Sequence, residues 1–133
     1  MGEIKTYRDL QAWQKAMDLV TEIYRLSRRL PPEEQFGLVS QMRRAAVSVP
    51  ANIAEGYGRI HRRDYAHHLS IARGSLTETE THLLIAIRLE YLARDQAIEV
   101  WRLAQEVGRL LNGLIRALNK QGAGEQGSEV AGQ

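Results

Sequence analysis

Apolar residues in this chain recur three and four apart over long stretches and never alternate in twos, which predicts helices and no strands. The first helix is expected from about Asp9, a good N-cap, to about Leu30, where Pro31 and Pro32 stop it. One stripe on it runs through Leu10, Trp13, Met17, Val20 and Tyr24, and a second through Ala12, Ala16, Leu19, Ile23, Leu26 and Leu30. Together they form an arc wider than the ~100° stripe of a simple surface helix, so this helix has neighbours on two sides. Those neighbours are either helices of its own bundle or another subunit. A short connector, 31–37, leads to a second helix opening near Leu38 and burying Leu38, Met42, Ala45 or Ala46, Val49 and Ile53.

Pro50 interrupts that pattern. It removes a backbone donor and crowds the carbonyl of Ala46. The spacing resumes in register at Ile53, which predicts a kinked but continuous helix. Asn52 and Glu55 are expected to satisfy the backbone groups that Pro50 frees, and Gly56 and Gly58 offer C-cap positions. A third helix is expected from Arg62–Asp64 to about Leu92, with small residues at Ala72, Gly74 and Ser75 admitting a close neighbour. After a turn at Ala93-Arg94-Asp95, with Asp95 as N-cap, the fourth helix carries Ala97, Val100, Ala104, Val107, Leu111, Leu114 and Leu118 as a heptad seam. Beyond Lys120 no buried face remains, and a disordered tail is expected.

The expectation is therefore an all-α protein, an antiparallel up-down-up-down four-helix bundle with a second helix kinked at Pro50. Residues 1–8 read as an N-terminal arm, 9–120 as the bundle and 121–133 as the tail. At 133 residues, 44% of them apolar and 26% charged, the chain can bury a core without staples. Cys is absent, which rules out disulfides and thiolate metal sites. No apolar leader opens the chain and no run is long enough for a membrane span, so a cytoplasmic protein is expected.

Charge changes the picture more than composition does. The net charge is only +2, but 15 of the 18 basic residues are Arg. Arg43, Arg44, Arg59, Arg62 and Arg63 crowd into the 24 residues from Ser40 to Arg63, opposed there only by Glu55. Guanidinium forks suit phosphate oxygens, and Tyr57 and Tyr65 flank the cluster as stacking surfaces for bases. The plainer reading is a set of solvated helix ends with the tyrosines half in the core.

Catalytic patterns are missing. A di-iron bundle needs Glu-x-x-His on two helices, whereas Thr81, Leu83 and Gly58 stand three after Glu78, Glu80 and Glu55. His61, Asp64 and His68 share a helical spacing compatible with a metal, but i,i+4 partnerships such as Asp64–His68 and Glu78–His82 are the commoner use of such residues. There is no G-x-S-x-G elbow and no S-x-x-K. The sequence predicts no enzyme, no cofactor and no metal.

The runs Q-M-R-R-A-A-V-S-V-P-A-N-I-A-E-G-Y-G-R and L-S-I-A-R-G-S-L-T-E-T-E-T-H-L, with the opening Y-R-D-L-Q-A-W-Q-K-A-M-D-L-V, resemble the four-helix-bundle proteins called 23S rRNA intervening-sequence proteins. The resemblance spans about residues 7 to 120. It implies a bacterial protein with a kinked second helix that forms a homo-oligomer, in the form of a pentameric ring. Related bundles, the accessory variability proteins of diversity-generating retroelements, are basic pentamers that bind a reverse transcriptase and nucleic acid. The function expected is thus a non-enzymatic oligomeric bundle that serves as a nucleic-acid-associated accessory or scaffold through Arg43, Arg44, Arg59, Arg62 and Arg63. The alternative is a pure protein–protein interaction module.

Overall fold

The computed structural model describes the backbone of residues 2–131 and the side chains as far as residue 122. Four α-helices account for most of it: α1 (Gln11–Ser27), α2 (Leu38–Tyr57), α3 (Arg62–Arg88) and α4 (Arg94–Ala131). There is no strand among the described residues. Each helix packs on its sequence neighbours and α4 closes onto α1, with no diagonal contact among the described residues, so the topology is that of an up-down-up-down bundle. The α2–α3 pair makes the most extensive contact. No helix among the described residues is long and apolar enough to cross a membrane.

The second of the two α1 stripes forms the core: Ala12, Ala16, Leu19, Ile23 and Leu26 are buried. Apart from the buried Leu10, the first stripe lies at the border. Trp13, Val20 and Tyr24 are half-buried and Met17 is exposed. Around the core stripe gather Met42, Val49 and Ile53 of α2, Leu69, Leu76 and Leu83 of α3, and Val100, Val107 and Leu111 of α4. Leu114 and Leu118 continue the α4 seam half-buried against this cluster. On α2 the pattern slips by one residue at its start, because Val39 is buried while Leu38 is only half-buried.

The ends differ in instructive ways from the sequence expectation. Asp9 does not cap α1. It closes a 3-10 turn, Tyr7–Asp9, where Thr6 and Asp9 form a capping box and Leu10 precedes the helix. The Asp9 carboxylate accepts from the backbone of Lys5 at 2.9 Å and of Thr6 at 3.0 Å, and these bonds hold its pKa below the usual range. The N-terminal arm is accordingly tied into the fold from Thr6 on, with Tyr7 edge-on to Trp13 at 5.3 Å between centroids. At the other end α1 stops at Ser27, short of Leu30.

Helix α3 likewise stops at Arg88 rather than Leu92. It ends in a Schellman motif: Tyr91 N–H bonds the Ala86 carbonyl, Glu90 N–H bonds that of Ile87, and Glu90 takes a left-handed φ of 64°. Glutamate is an unusual occupant of a position that suits glycine. Asp95 is not the cap of α4, which already includes Arg94; the Gln96 side chain instead accepts the Ala93 N–H at 2.8 Å. The α4 backbone continues as helix past Lys120, where the sequence reading places a tail without structure. Side chains from 123 onward and residues 132–133 lie outside the described residues, and with them the rest of that expectation.

Candidate nucleic-acid interface

Helix α2 runs unbroken through Pro50, which brings no N–H to the Ala46 carbonyl. The expected repair falls elsewhere. The Asn52 amide donates to the Ser48 carbonyl at 2.9 Å and to the Ser48 hydroxyl at 3.0 Å, one turn behind it. Glu55 repairs no backbone group; its carboxylate is ion-paired with Arg59 one turn ahead. Asn52 then reaches across to α3, where His68 Nδ1 donates to Asn52 Oδ1 at 3.0 Å. The Ser75 hydroxyl donates to that of Ser48 at 2.8 Å, and Thr79 bonds back to the Ser75 carbonyl at 2.9 Å. The polar residues beside the proline thus bolt α2 to α3.

Gly56 has a similar purpose. A Cβ there would lie 2.8 Å from the His68 Cβ, 3.0 Å from the Tyr65 ring and 3.3 Å from the Tyr65 carbonyl oxygen, so the two backbones meet at this point. Gly58 follows as C-cap without a positive φ, so neither glycine makes the left-handed cap the sequence suggested. Tyr57 and Tyr65 meet edge-on at 6.1 Å and are both half-buried. Burial raises the Tyr65 pKa, with Tyr57 adding to the shift. Their rings serve the seam first. Of the small residues on α3, Ala72 and Ser75 are buried, but Gly74 faces open space.

The five arginines do not form one patch. Arg43 and Arg44 sit in the first half of α2, and Arg59, Arg62 and Arg63 at the α2–α3 turn, separated by about 20 Å of helix. Arg43 is half-buried between α1 and α2. Its Nε donates to the Ser27 hydroxyl at 2.8 Å and its guanidinium covers the Tyr24 ring at 4.5 Å. Arg44 points outward with no partner among the described residues. At the turn Arg59 is paired with Glu55, Arg62 lies against Gly122 of α4, and Arg63 is exposed and unpaired among the described residues. Beside them Ile60 is 95% exposed.

The histidines disperse as well. His61 is the exposed residue before α3, and His68 is committed to Asn52. Among the described residues no three metal-ligating side chains converge. His82 has a buried Nδ1 without a hydrogen-bond partner, and burial lowers its pKa against the opposing pull of Glu78.

Two surface features escaped the sequence reading. Phe36, in the α1–α2 connector, is 89% exposed and borders a pocket of about 620 Å³ with Tyr24, Ser40, Arg43, Arg44 and Val47. A lone phenylalanine in a loop carries no periodicity, so only its position after a charged Glu-Glu-Gln run hinted at exposure. On the opposite edge an open groove of about 820 Å³ between α3 and α4 is lined by Leu84, Ile85, Ile98 and Trp101, with Arg88 and Arg94 at the rim. Leu84 is 52% exposed and Ile98 40%. Both lie at positions of the helical repeat just outside the core stripe, where periodicity alone cannot separate a border residue from an outward one.

Residues 8–113 match the family model described as 23S rRNA-intervening sequence protein. Among solved structures, a protein of unknown function from the S23 ribosomal protein family of Bacteroides thetaiotaomicron is similar, with 30% identity and a TM-score of 0.72. The similarity covers 78% of this chain and 97% of that one. No curated protein sequence matches.

Proposed function

Since the chain belongs to the 23S rRNA-intervening sequence protein family, we propose that it is a non-enzymatic oligomeric bundle that associates with nucleic acid as an accessory or scaffold protein. The observation that carries this reading is the outward placement of Arg44 and Arg63, unpaired among the described residues, on two separate parts of the surface. Uncompensated guanidinium groups are the usual phosphate contacts of weakly sequence-specific binding. Arg43 and Arg59 contribute from fixed positions, one stacked on Tyr24 and the other paired with Glu55. A non-catalytic role is supported by the interior hydroxyls: Ser27, Ser75 and Thr79 are each committed to a hydrogen bond inside the bundle. The oligomer is taken as a ring of five and the protein partner as a reverse transcriptase, on the strength of the resemblance to retroelement accessory bundles.

Fluorescence anisotropy with structured RNA and single-stranded DNA tests the reading. Binding at ~50 mM salt that weakens steeply toward ~200 mM supports it, and no binding at the lower salt sinks it. Native mass spectrometry decides the ring. The α3–α4 groove favours a second reading, a pure protein-interaction module, because soluble monomers rarely leave such apolar surface open. Unchanged assembly together with no nucleic-acid retention after replacing Arg44 and Arg63 by Ala supports the first reading. Assembly without retention in the unmodified protein supports the second.

A further inference from the structure

We propose that the pocket on the α1–α2 edge is a nucleotide subsite for single-stranded nucleic acid, with the phosphate on Arg43 and Arg44 and the base stacked on Phe36. This rests on the nucleic-acid reading above and locates its base-contacting site at the α1–α2 edge.

Arg43 supplies the first argument. Its Nε is fixed by Ser27, a 1%-exposed residue that itself donates to the Tyr24 carbonyl at 2.8 Å, and its guanidinium plane is fixed by the Tyr24 ring. Stacking and a single Nε bond hold the plane while both terminal nitrogens remain without a hydrogen-bond partner among the described residues. That leaves a pre-oriented two-pronged donor, the geometry that grips a phosphate bidentately and loses little side-chain freedom on doing so. Arg44, unpaired and one residue on, lines the same pocket and adds a second charge.

Phe36 supplies the second. A phenylalanine ring 89% exposed contributes nothing to the core, yet it borders the pocket that Arg43 and Arg44 also line. An open aromatic face beside a phosphate donor fits a nucleotide, because every base offers a π-face and stacking on an aromatic side chain is sequence-tolerant. The Ser40 hydroxyl and Gln35 amide stand at the same pocket as groups for the base edge. A duplex cannot use this arrangement, since its base faces are already stacked. The volume of about 620 Å³ lies within the range of small-ligand sites.

The test uses the full chain and three probes of equal length: an unstructured RNA, the matching single-stranded DNA and a duplex RNA, each followed by anisotropy at ~50 mM salt. Phe36→Ala is expected to weaken both single strands about tenfold and leave the duplex unchanged, while Phe36→Trp retains wild-type affinity. Arg44→Ala is expected to lower the salt slope by about one. Circular dichroism confirms that the variants fold, as expected for two exposed positions. If the wild type binds all probes and Phe36→Ala changes none by more than about twofold, the subsite is overturned and the general nucleic-acid reading stands. NMR titration with uridine monophosphate separates the opposite case. Shifts at the Phe36 ring and Arg43 Nε–H, without any binding of the longer probes, sink the general reading and overturn the single-strand assignment in favour of a site for free mononucleotides. Equal shifts from a Glu-rich peptide overturn the nucleotide assignment in favour of a carboxylate-bearing partner.

Discussion

Helix α3 packs on α2 along one side and on α4 along the other, and the two seams are built by different means. Against α2 the backbones close to contact at Gly56, and side chains are tied across the gap by Ser48–Ser75 and Asn52–His68. Against α4 the cross-seam polar contacts include Gln105 to Glu80 at 3.2 Å and a long Arg73–Asn112 approach of 3.5 Å. Toward the α3–α4 turn, Leu84, Ile85 and Ile98 line an open groove. Polar bolts give the first seam directionality; the second relies on non-directional apolar contact, which another surface can extend. The difference separates a seam that fixes the fold from one with surface left to offer.

The largest expected effect comes from wedging the first seam. Gly56→Ala gains about 1 kcal/mol of helix propensity but drives a Cβ into the His68 Cβ and the Tyr65 backbone, so a net loss of about 2 kcal/mol is expected in urea unfolding. A loss below about 0.5 kcal/mol, the scatter of ordinary surface changes, means that the contact is loose. Next, Asn52→Ala removes two donated bonds and leaves His68 Nδ1 without its acceptor, for an expected loss of about 1.5 kcal/mol by the same measurement.

Changes at the second seam act differently. Glu90→Gly relieves a left-handed residue in the Schellman motif and should raise stability by about 0.5 kcal/mol, read as a small rise in Tm. Leu84→Gln combined with Ile98→Gln should leave unfolding within about 0.5 kcal/mol of wild type while lowering the mass of any assembly seen by light scattering. If stability falls and assembly does not, the groove belongs to the bundle's own core.

Smallest is the pH effect of His82. Its folded pKa lies below the ordinary value, so the unfolded chain binds the proton more tightly. Stability should be fully present above about pH 6.5 and decline as pH falls through the lowered folded value. His82→Gln should flatten that limb of the stability–pH curve.

The four helices, their order and most of the core were legible in the sequence, because burial imposes a three-four rhythm that extends over many turns. The ends were less legible, since they depend on single hydrogen bonds: Asp9 could cap either of two turns, and Glu90 occupies a position that composition assigns to glycine. Pro50 was read correctly as lying inside a continuous helix. The partners of Asn52 were not, because its second contact lies on another helix, sixteen residues away in sequence. The same holds for the arginines. Adjacent positions on a helix diverge by about 100°, yet only the tertiary fold shows that Arg43 stacks on Tyr24 and Arg44 faces outward.

The Ser48–Ser75 and Asn52–His68 contacts have a further consequence. They are four residues apart on α2 but seven apart on α3, about 6 Å against about 10 Å of helix rise, with a short hydroxyl pair at one and a longer amide–imidazole pair at the other. Unequal spacings act as a vernier. Sliding α3 by a turn breaks both contacts, and bringing the Thr79 hydroxyl to Ser48 places Ala72 opposite Asn52, so no shift restores the two together and this hairpin has a single register. The turn that carries Arg59 and Arg63 is thereby held at one height relative to the Arg43–Arg44 edge, which makes the distance between the two basic groups a property of the fold.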